Sequence, residues 1–195
     1  MIGYITKLIN VPYNQYIAHQ AITSLFPSPQ TVSWIRDING QVIVFSTEKF
    51  MGKCHINDIE LYSVTEVTIP DVGDEFIFFI PYIPTKTTLS PRDPKTGKSP
   101  RGITATLYGS DIMKATNFLK KRLEDLGVSI DALVVEYNGI ESIHHKNGTV
   151  RSNVFHGNGV GKVNDQSKLI KLLLDGIPGS TKYNYVGYGN IDIFR

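Results

Sequence analysis

The chain has 195 residues, 41% of them hydrophobic and 19% charged, and a net charge of only +2. That balance excludes a disordered chain and a polycation that would coat nucleic acid indiscriminately, so any nucleic-acid binding must come from local patches. The length suits one large domain or two of about 90 residues each, and the single cysteine, Cys54, excludes an internal disulfide or a cysteine metal cage.

Ile2 to Leu8 alternates as a first strand, and Asn10, Pro12 and Asn14 turn the chain into a helix spanning Asn14 to Leu25. Asn14 is its expected cap and Pro27 its stop; Ile17, Ala21, Ser24 and Leu25 fall at helical spacing as its buried face. Tyr16 and His19, three apart, stack on one flank beside that face. A histidine so placed is more often an ordinary boundary residue, but a phenol and an imidazole together within reach of a ligand also suit proton transfer. Thr31 to Arg36 and Gln41 to Ser46 read as strands joined at Asn39-Gly40, where both residues tolerate the positive φ of a tight turn. Thr47 to Asp74 is less regular, with strand-like pieces at Ile59 to Tyr62 and Val64 to Ile69. It leads to Glu75 to Ile80, which is apolar on both faces and reads as a central strand.

Five prolines between Pro81 and Pro100 exclude a helix or a central strand there. This stretch and its end carry Lys86, Arg92, Lys95, Lys98 and Arg101 against one acid, Asp93, so it reads either as a solvated linker or as a basic finger for a nucleic-acid groove. A second helix follows, with Ser110 as cap and Ile112, Thr116, Leu119, Leu123 and Leu126 buried, ended by Gly127. Its Lys114, Lys120, Lys121 and Arg122 point outward. Next come a strand at Ala132 to Tyr137 and a hairpin of Ser142 to Lys146 with Thr149 to Phe155, turning on Asn147-Gly148. A third helix over Asp165 to Asp175 buries Leu169, Ile170, Leu173 and Leu174. A glycine-rich loop from Gly176 to Gly189 and a strand from Asn190 to Phe194 close the chain.

Helices alternating with pairs of strands in both halves predict an α+β protein of two tandem ferredoxin-like, or RRM-like, βαββαβ units, divided at residues 1–90 and 91–195 with the basic segment 82–101 across the boundary. The start of the chain has no signal-peptide pattern and no apolar run nears the ~18 residues of a membrane span, so a cytoplasmic location is expected. Gly157-Asn158-Gly159-Val160-Gly161-Lys162 fails as a phosphate loop, because Val163 stands where a magnesium-binding Ser or Thr is needed. The glycine-rich segment bearing Lys182 can still approach a polyanion closely. His144 and His145 are adjacent, hence on opposite faces of a strand, and form no metal pair, so neither a metal nor any other cofactor is expected.

Three features in register resemble one family: Tyr16-x-x-His19 followed by Leu25-Phe26-Pro27; the basic insertion opening Ile83-Pro84-Thr85-Lys86-Thr87; and the ending Asn164-Asp165-x-x-x-Leu169-Ile170-x-Leu172-x-x-x-Gly176-Ile177 with its glycine loop. They are similar to the CRISPR repeat-processing endoribonuclease of Cascade, the CasE family. The terminal loop is longer than the family's usual one, and Gly157 to Lys162 carries extra residues. The resemblance implies metal-independent cleavage of CRISPR repeat hairpins, leaving 2′,3′-cyclic phosphate and 5′-hydroxyl ends. The enzyme would then stay with its RNA in the surveillance complex beside other Cascade-type subunits, among them the backbone subunit. It makes His19 the general base or acid, Tyr16 the residue orienting ribose or phosphate, and Lys146 the cation for the phosphorane, with Arg151 in reserve. Lys86, Arg92, Lys95, Lys98, Arg101 and Lys182 would bind RNA. The alternative is a non-catalytic RRM-like RNA-binding subunit of a ribonucleoprotein, with Tyr62, Phe78 or Tyr82 stacking bases.

Overall fold

The computed structural model describes residues 1–26, 28, 32–37, 39–50, 59–88, 103–106, 109–145, 148–178 and 187–193. The first unit comprises β1 (Ile2–Ile9), α1 (Gln15–Ser24), β2 (Val32–Arg36), β3 (Val42–Ser46) and β4 (Glu60–Thr68). Its strands form an antiparallel sheet in the order β2-β3-β1-β4. Placing the first strand between the third and the fourth is what two crossovers on one face of a sheet produce, and it is the ferredoxin-like arrangement. The two strand-like pieces expected after Thr47 are one strand, β4, whose register against β1 shifts between Lys7 and Leu8. Among the described residues no helix occurs between β3 and β4; residues 51–58, Cys54 among them, lie outside the described ones.

The β2–β3 hairpin forms as expected, but its turn differs. Asp37 and Gln41 close it (Asp37 N–H to Gln41 O, 2.9 Å), the Asp37 carboxylate accepts from the amides of Asn39 and Gln41, and among its described residues only Gly40 takes positive φ, at 79°. An aspartate that can hold two amides relieves Asn39 of the left-handed conformation.

Asn14 caps α1 by accepting from Ile17 N at 3.1 Å. The buried face, however, is Ala18, Ala21 and Ile22, continued by Leu25, while Ile17 and Ser24 are exposed. The stripe is rotated by one residue because the alanines let the helix backbone approach Leu8, Trp34, Val42 and Val44, the sheet residues of the same core cluster. The other face of this sheet, with Ile5, Ile35, Ile43 and Phe45, packs on the second unit.

The second unit holds β5 (Glu75–Tyr82), a two-stranded ribbon of β6 (Thr85–Thr88) and β7 (Ile103–Thr106), α2 (Ile112–Asp125), β8 (Val128–His145), β9 (Gly148–Val163) and α3 (Gln166–Asp175). The sheet runs β5-β9-β8, and Asp192 pairs with Phe79 on the far edge of β5. The strand order of the first unit is thereby repeated. β5 pairs along β9 from Glu75 to Tyr82. Among the described residues the closing strand is the Phe79–Asp192 bridge with its two backbone hydrogen bonds, 2.8 and 2.9 Å.

Ala132 to Tyr137 and the expected hairpin after it are a single ladder of 18-residue β8 on 16-residue β9, with register shifts at Ile130/Ala132 and Tyr137/Gly139 absorbing its twist. His145 pairs with Gly148, and residues 146–147 between them, including Asn147 of the predicted turn, lie outside the described residues. Gly157, Gly159 and Gly161 alternate along β9, mid-strand. A Cβ at these positions would meet Leu119, Phe78 and Val128 respectively at 2.3, 2.6 and 2.8 Å, so the glycines make room for the core. Phe78 and Tyr82 are wholly buried in that core, each contributing about 1.5–3 kcal/mol. Neither can stack a base; Tyr62 alone of the three is exposed.

In α2 the cap is Asp111, accepting from Lys114 N at 3.0 Å, where Ser110 was expected. The buried stripe is Ala115, Phe118, Leu119 and Leu123, while Ile112 is 46% exposed. Here too a small residue and an aromatic displace the β-branched residue that periodicity favours. No helix among the described residues is long and apolar enough to cross a membrane.

Candidate active site

His19 lies near the middle of α1, partly exposed, with its Nδ1 buried. Burial lowers its pKa below the ordinary 6.5, so the imidazole is neutral at pH 7. Tyr16, also partly exposed, accepts from Gln20 Nε2 at 3.1 Å. The Thr23 hydroxyl donates to the His19 carbonyl at 2.8 Å, which steadies the turn that carries the ring.

The first turn of this helix meets the far end of the β8–β9 hairpin. β8 is the edge strand of its sheet, and the His144 N–H donates to Gln15 Oε1 at 3.2 Å. Gln15 and His19 are four apart and therefore share a flank of α1, about 6 Å apart along the axis. On the hairpin, His144 Nδ1 lies 3.0 Å from Thr149 Oγ1, across the paired rung. Arg151 is exposed on β9 opposite Ser142.

A cleft of about 460 Å³ opens beside Gln15, lined by Tyr13, Arg36, Glu136, Glu141, His156 and Tyr188 among others. Its polar groups are held firmly. Arg36 donates to the carbonyls of Gly40 and Pro12, each at 2.8 Å, and lies over the Tyr13 ring at 5.2 Å. Burial lowers its pKa, but a guanidinium stays charged. Tyr188 donates to Glu141 Oε2, and Asn138 Nδ2 donates to Glu141 Oε1 at 2.7 Å. Burial, then the bond to Glu141, drives the Tyr188 pKa well above the phenol range. Gly187, before it, packs on the Trp34 ring, and Asn190 Nδ2 donates to the Trp34 carbonyl at 2.8 Å. The end of the glycine-rich loop is thus fastened to the first unit.

No protein-family model and no curated protein matches the chain. Solved structures do. A Cse3 CRISPR endoribonuclease bound to a 19-nucleotide RNA superposes with a TM-score of 0.71 at 17% identity, covering 100% of this chain and 98% of that one. The chain shares the Cse3 fold. Thermus thermophilus Cse3, bound to an RNA representing a pre-cleavage complex, gives 0.68 at 15% identity with full coverage of both chains. Cas6e from Escherichia coli K-12 gives 0.67 at 18% identity over 97% of this chain and 98% of that one.

Within this Cse3-like frame the expected site residues are distributed unevenly. Tyr16 and His19 occupy one flank of α1, and the hairpin that carries Lys146 and Arg151 abuts the helix start. Lys146 itself falls outside the described residues, as do Arg92, Lys95, Lys98, Arg101 and Lys182. Lys86 sits on β6, paired with Ala105 of β7. Gln15, Glu141 and Tyr188 were missed. Their contacts span 47 and 129 positions, which no local spacing encodes; the only sequence signal was that Gln15 lies one turn before His19.

Proposed function

We propose that the chain is a metal-independent endoribonuclease that binds the hairpin of a CRISPR repeat transcript and cuts at the hairpin's 3′ base, yielding mature guide RNA. The observation that carries this is the hydrogen bond from the hairpin edge to the first turn of the histidine helix, in a chain whose whole length has the Cse3 fold. The chemistry needs only side chains. The ribose 2′-hydroxyl gives its proton to an imidazole, the O2′–P bond forms, the P–O5′ bond breaks, and the departing 5′ oxygen takes up a proton. The buried environment that keeps His19 neutral supports its role as the base, through Nε2. Tyr16 orients the ribose or phosphate. Lys146, two residues past His144 in sequence, neutralises the phosphorane, with Arg151 as the alternative cation. Lys86, Arg92, Lys95, Lys98, Arg101 and Lys182 hold the RNA through its phosphates, which suits the shape-based recognition of A-form helices. The product then stays bound within a surveillance complex of Cascade-type subunits.

Incubating the protein with a repeat hairpin in excess chelator tests this. Expected are two fragments, one ending in a 2′,3′-cyclic phosphate and the other beginning with a 5′-hydroxyl. RNA that is shifted but intact would instead identify a non-catalytic RNA-binding subunit.

A further inference from the structure

The cleft beside Gln15 opens on the face of the second sheet that turns away from α2. Gly157 on β9 faces Leu119 of that helix, so its neighbour His156 points to the opposite side. There Pro81, His156 and Glu136 form one paired row across β5, β9 and β8, and all three line the cleft. The first unit supplies the facing wall, with Arg36 and Asp37 at the end of β2 and Tyr13 before α1. At about 460 Å³ the space falls within the range of small-ligand sites, about 300–1,000 Å³.

The charged groups around this space are spent on the protein itself, with one exception. Arg36 donates to backbone carbonyls, the Asp37 carboxylate accepts from two amides, and Glu141 accepts from Tyr188 and Asn138. Glu136 is exposed, and its carboxylate has no hydrogen bond or ion pair with any described residue. What the cleft offers a ligand is therefore a pair of acceptor oxygens, and three carboxylates around one guanidinium repel a phosphate. Beside Glu136 stands a ring held in place: the His156 imidazole meets Phe79 edge-on, with centroids 5.3 Å apart at 68°. Directly opposed residues on neighbouring strands have Cβ atoms about 4.5–5.5 Å apart. A flat heterocycle lying over the imidazole thus brings its edge to the Glu136 carboxylate. Of the four RNA bases only guanine presents two adjacent N–H donors on one edge, N1–H and the N2 amino group, and so matches both carboxylate oxygens. We propose that the cleft is a guanine-binding pocket, with His156 as the stacking platform and Glu136 as the bidentate acceptor. Its occupant is the unpaired nucleotide that follows the cut, because Gln15 also lines the cleft and His19 lies about 6 Å further along α1. That placement rests on the function proposed above; the pocket itself does not.

Nucleoside titrations of the full chain, followed by NMR at the His156 and Tyr13 rings, test the pocket. Guanosine binds about tenfold or more tighter than adenosine, cytidine or uridine, and inosine, which keeps N1–H but lacks the amino group, falls between. Glu136→Gln lowers guanosine affinity about tenfold, since an amide returns only one acceptor, and it leaves the urea midpoint in place because the side chain is exposed. Another nucleoside binding as tightly as guanosine, no guanosine-induced shift at His156, or unchanged affinity in Glu136→Gln overturns the proposal. Repeat hairpins with guanine or uracil after the cut then test the placement. The wild-type protein binds the guanine RNA about tenfold tighter, and Glu136→Gln loses that preference. Equal affinity for the two RNAs, with guanosine still bound, overturns the placement beside the cut. Should the wild-type protein leave both RNAs intact, the enzymatic function fails, and the nucleoside titration alone decides whether the pocket exists.

Discussion

Replacing Gly159 by alanine separates a packing role for the glycine run of β9 from a phosphate-binding one. The added Cβ would stand 2.3 Å from the Ala132 carbonyl oxygen and 2.6 Å from Phe78 Cζ. The Phe78 ring is wholly buried, and the Ala132 oxygen belongs to the β8–β9 ladder, so neither can yield without moving a strand or repacking the core. Overpacking of this kind costs typically 1–3 kcal/mol, and a backbone obstacle places Gly159→Ala near the top, at about 3 kcal/mol. With a urea m-value of about 2 kcal/mol/M, the unfolding midpoint falls by about 1.5 M. For Gly157→Ala the close contact is the Leu119 side chain at 2.3 Å, and for Gly161→Ala it is Val128 Cγ1 at 2.8 Å, with Phe76 Cζ next at 3.3 Å. Side chains rotate away more cheaply, so these variants lose about 1–2 kcal/mol each. Urea melts followed by circular dichroism give the ranking, and RNA affinity measured without denaturant stays at the parent value. A Gly159→Ala midpoint within about 0.3 M of the parent, or a selective loss of RNA binding, would refute the packing account.

Cleavage should have an acidic limb whose midpoint lies below 6.5, since burial lowers the His19 pKa and only the neutral ring accepts the 2′-hydroxyl proton. Rate–pH profiles of the bound complex check this, and a midpoint above 6.5 contradicts it. The same shift makes stability rise with pH between the lowered folded value and 6.5, because the unfolded chain there binds more protons; stability is lost as pH falls through that interval. Tyr82→Phe, which removes the bond from the buried hydroxyl to the Ala115 carbonyl (2.9 Å), should cost about 1 kcal/mol in a urea melt and leave RNA affinity unchanged. Alanine at Lys86, Arg92, Lys95, Lys98 and Arg101 together should flatten the dependence of log affinity on log salt by about four units. An unchanged slope would mean that those cations do not face phosphate.

Much of this fold is written locally. Asn14 capping α1, the strands either side of Gly40 and the apolar run of β5 are all determined by neighbours in sequence, and each appears in the structure. The errors have one origin, which is that tertiary packing overrides local preference. Ile17 and Ile112 look buried by period, yet alanines let both helices approach their sheets along the adjacent stripe. The long β8–β9 ladder was expected as a strand and a separate hairpin; in it Gly139 lies at a register shift, and Gly157 and Gly159 clear space for Leu119 and Phe78. At the site, Tyr16 and His19 were legible because one helical turn joins them. The Gln15 contact to His144 was not, since it depends on how the two units dock.

The most direct measurement is single-turnover cleavage of a repeat hairpin by the His19→Ala protein, in chelator, beside its RNA affinity. The account predicts a rate about 100-fold or more below the parent with affinity nearly unchanged. Cleavage at the parent rate by a folded His19→Ala protein would contradict it.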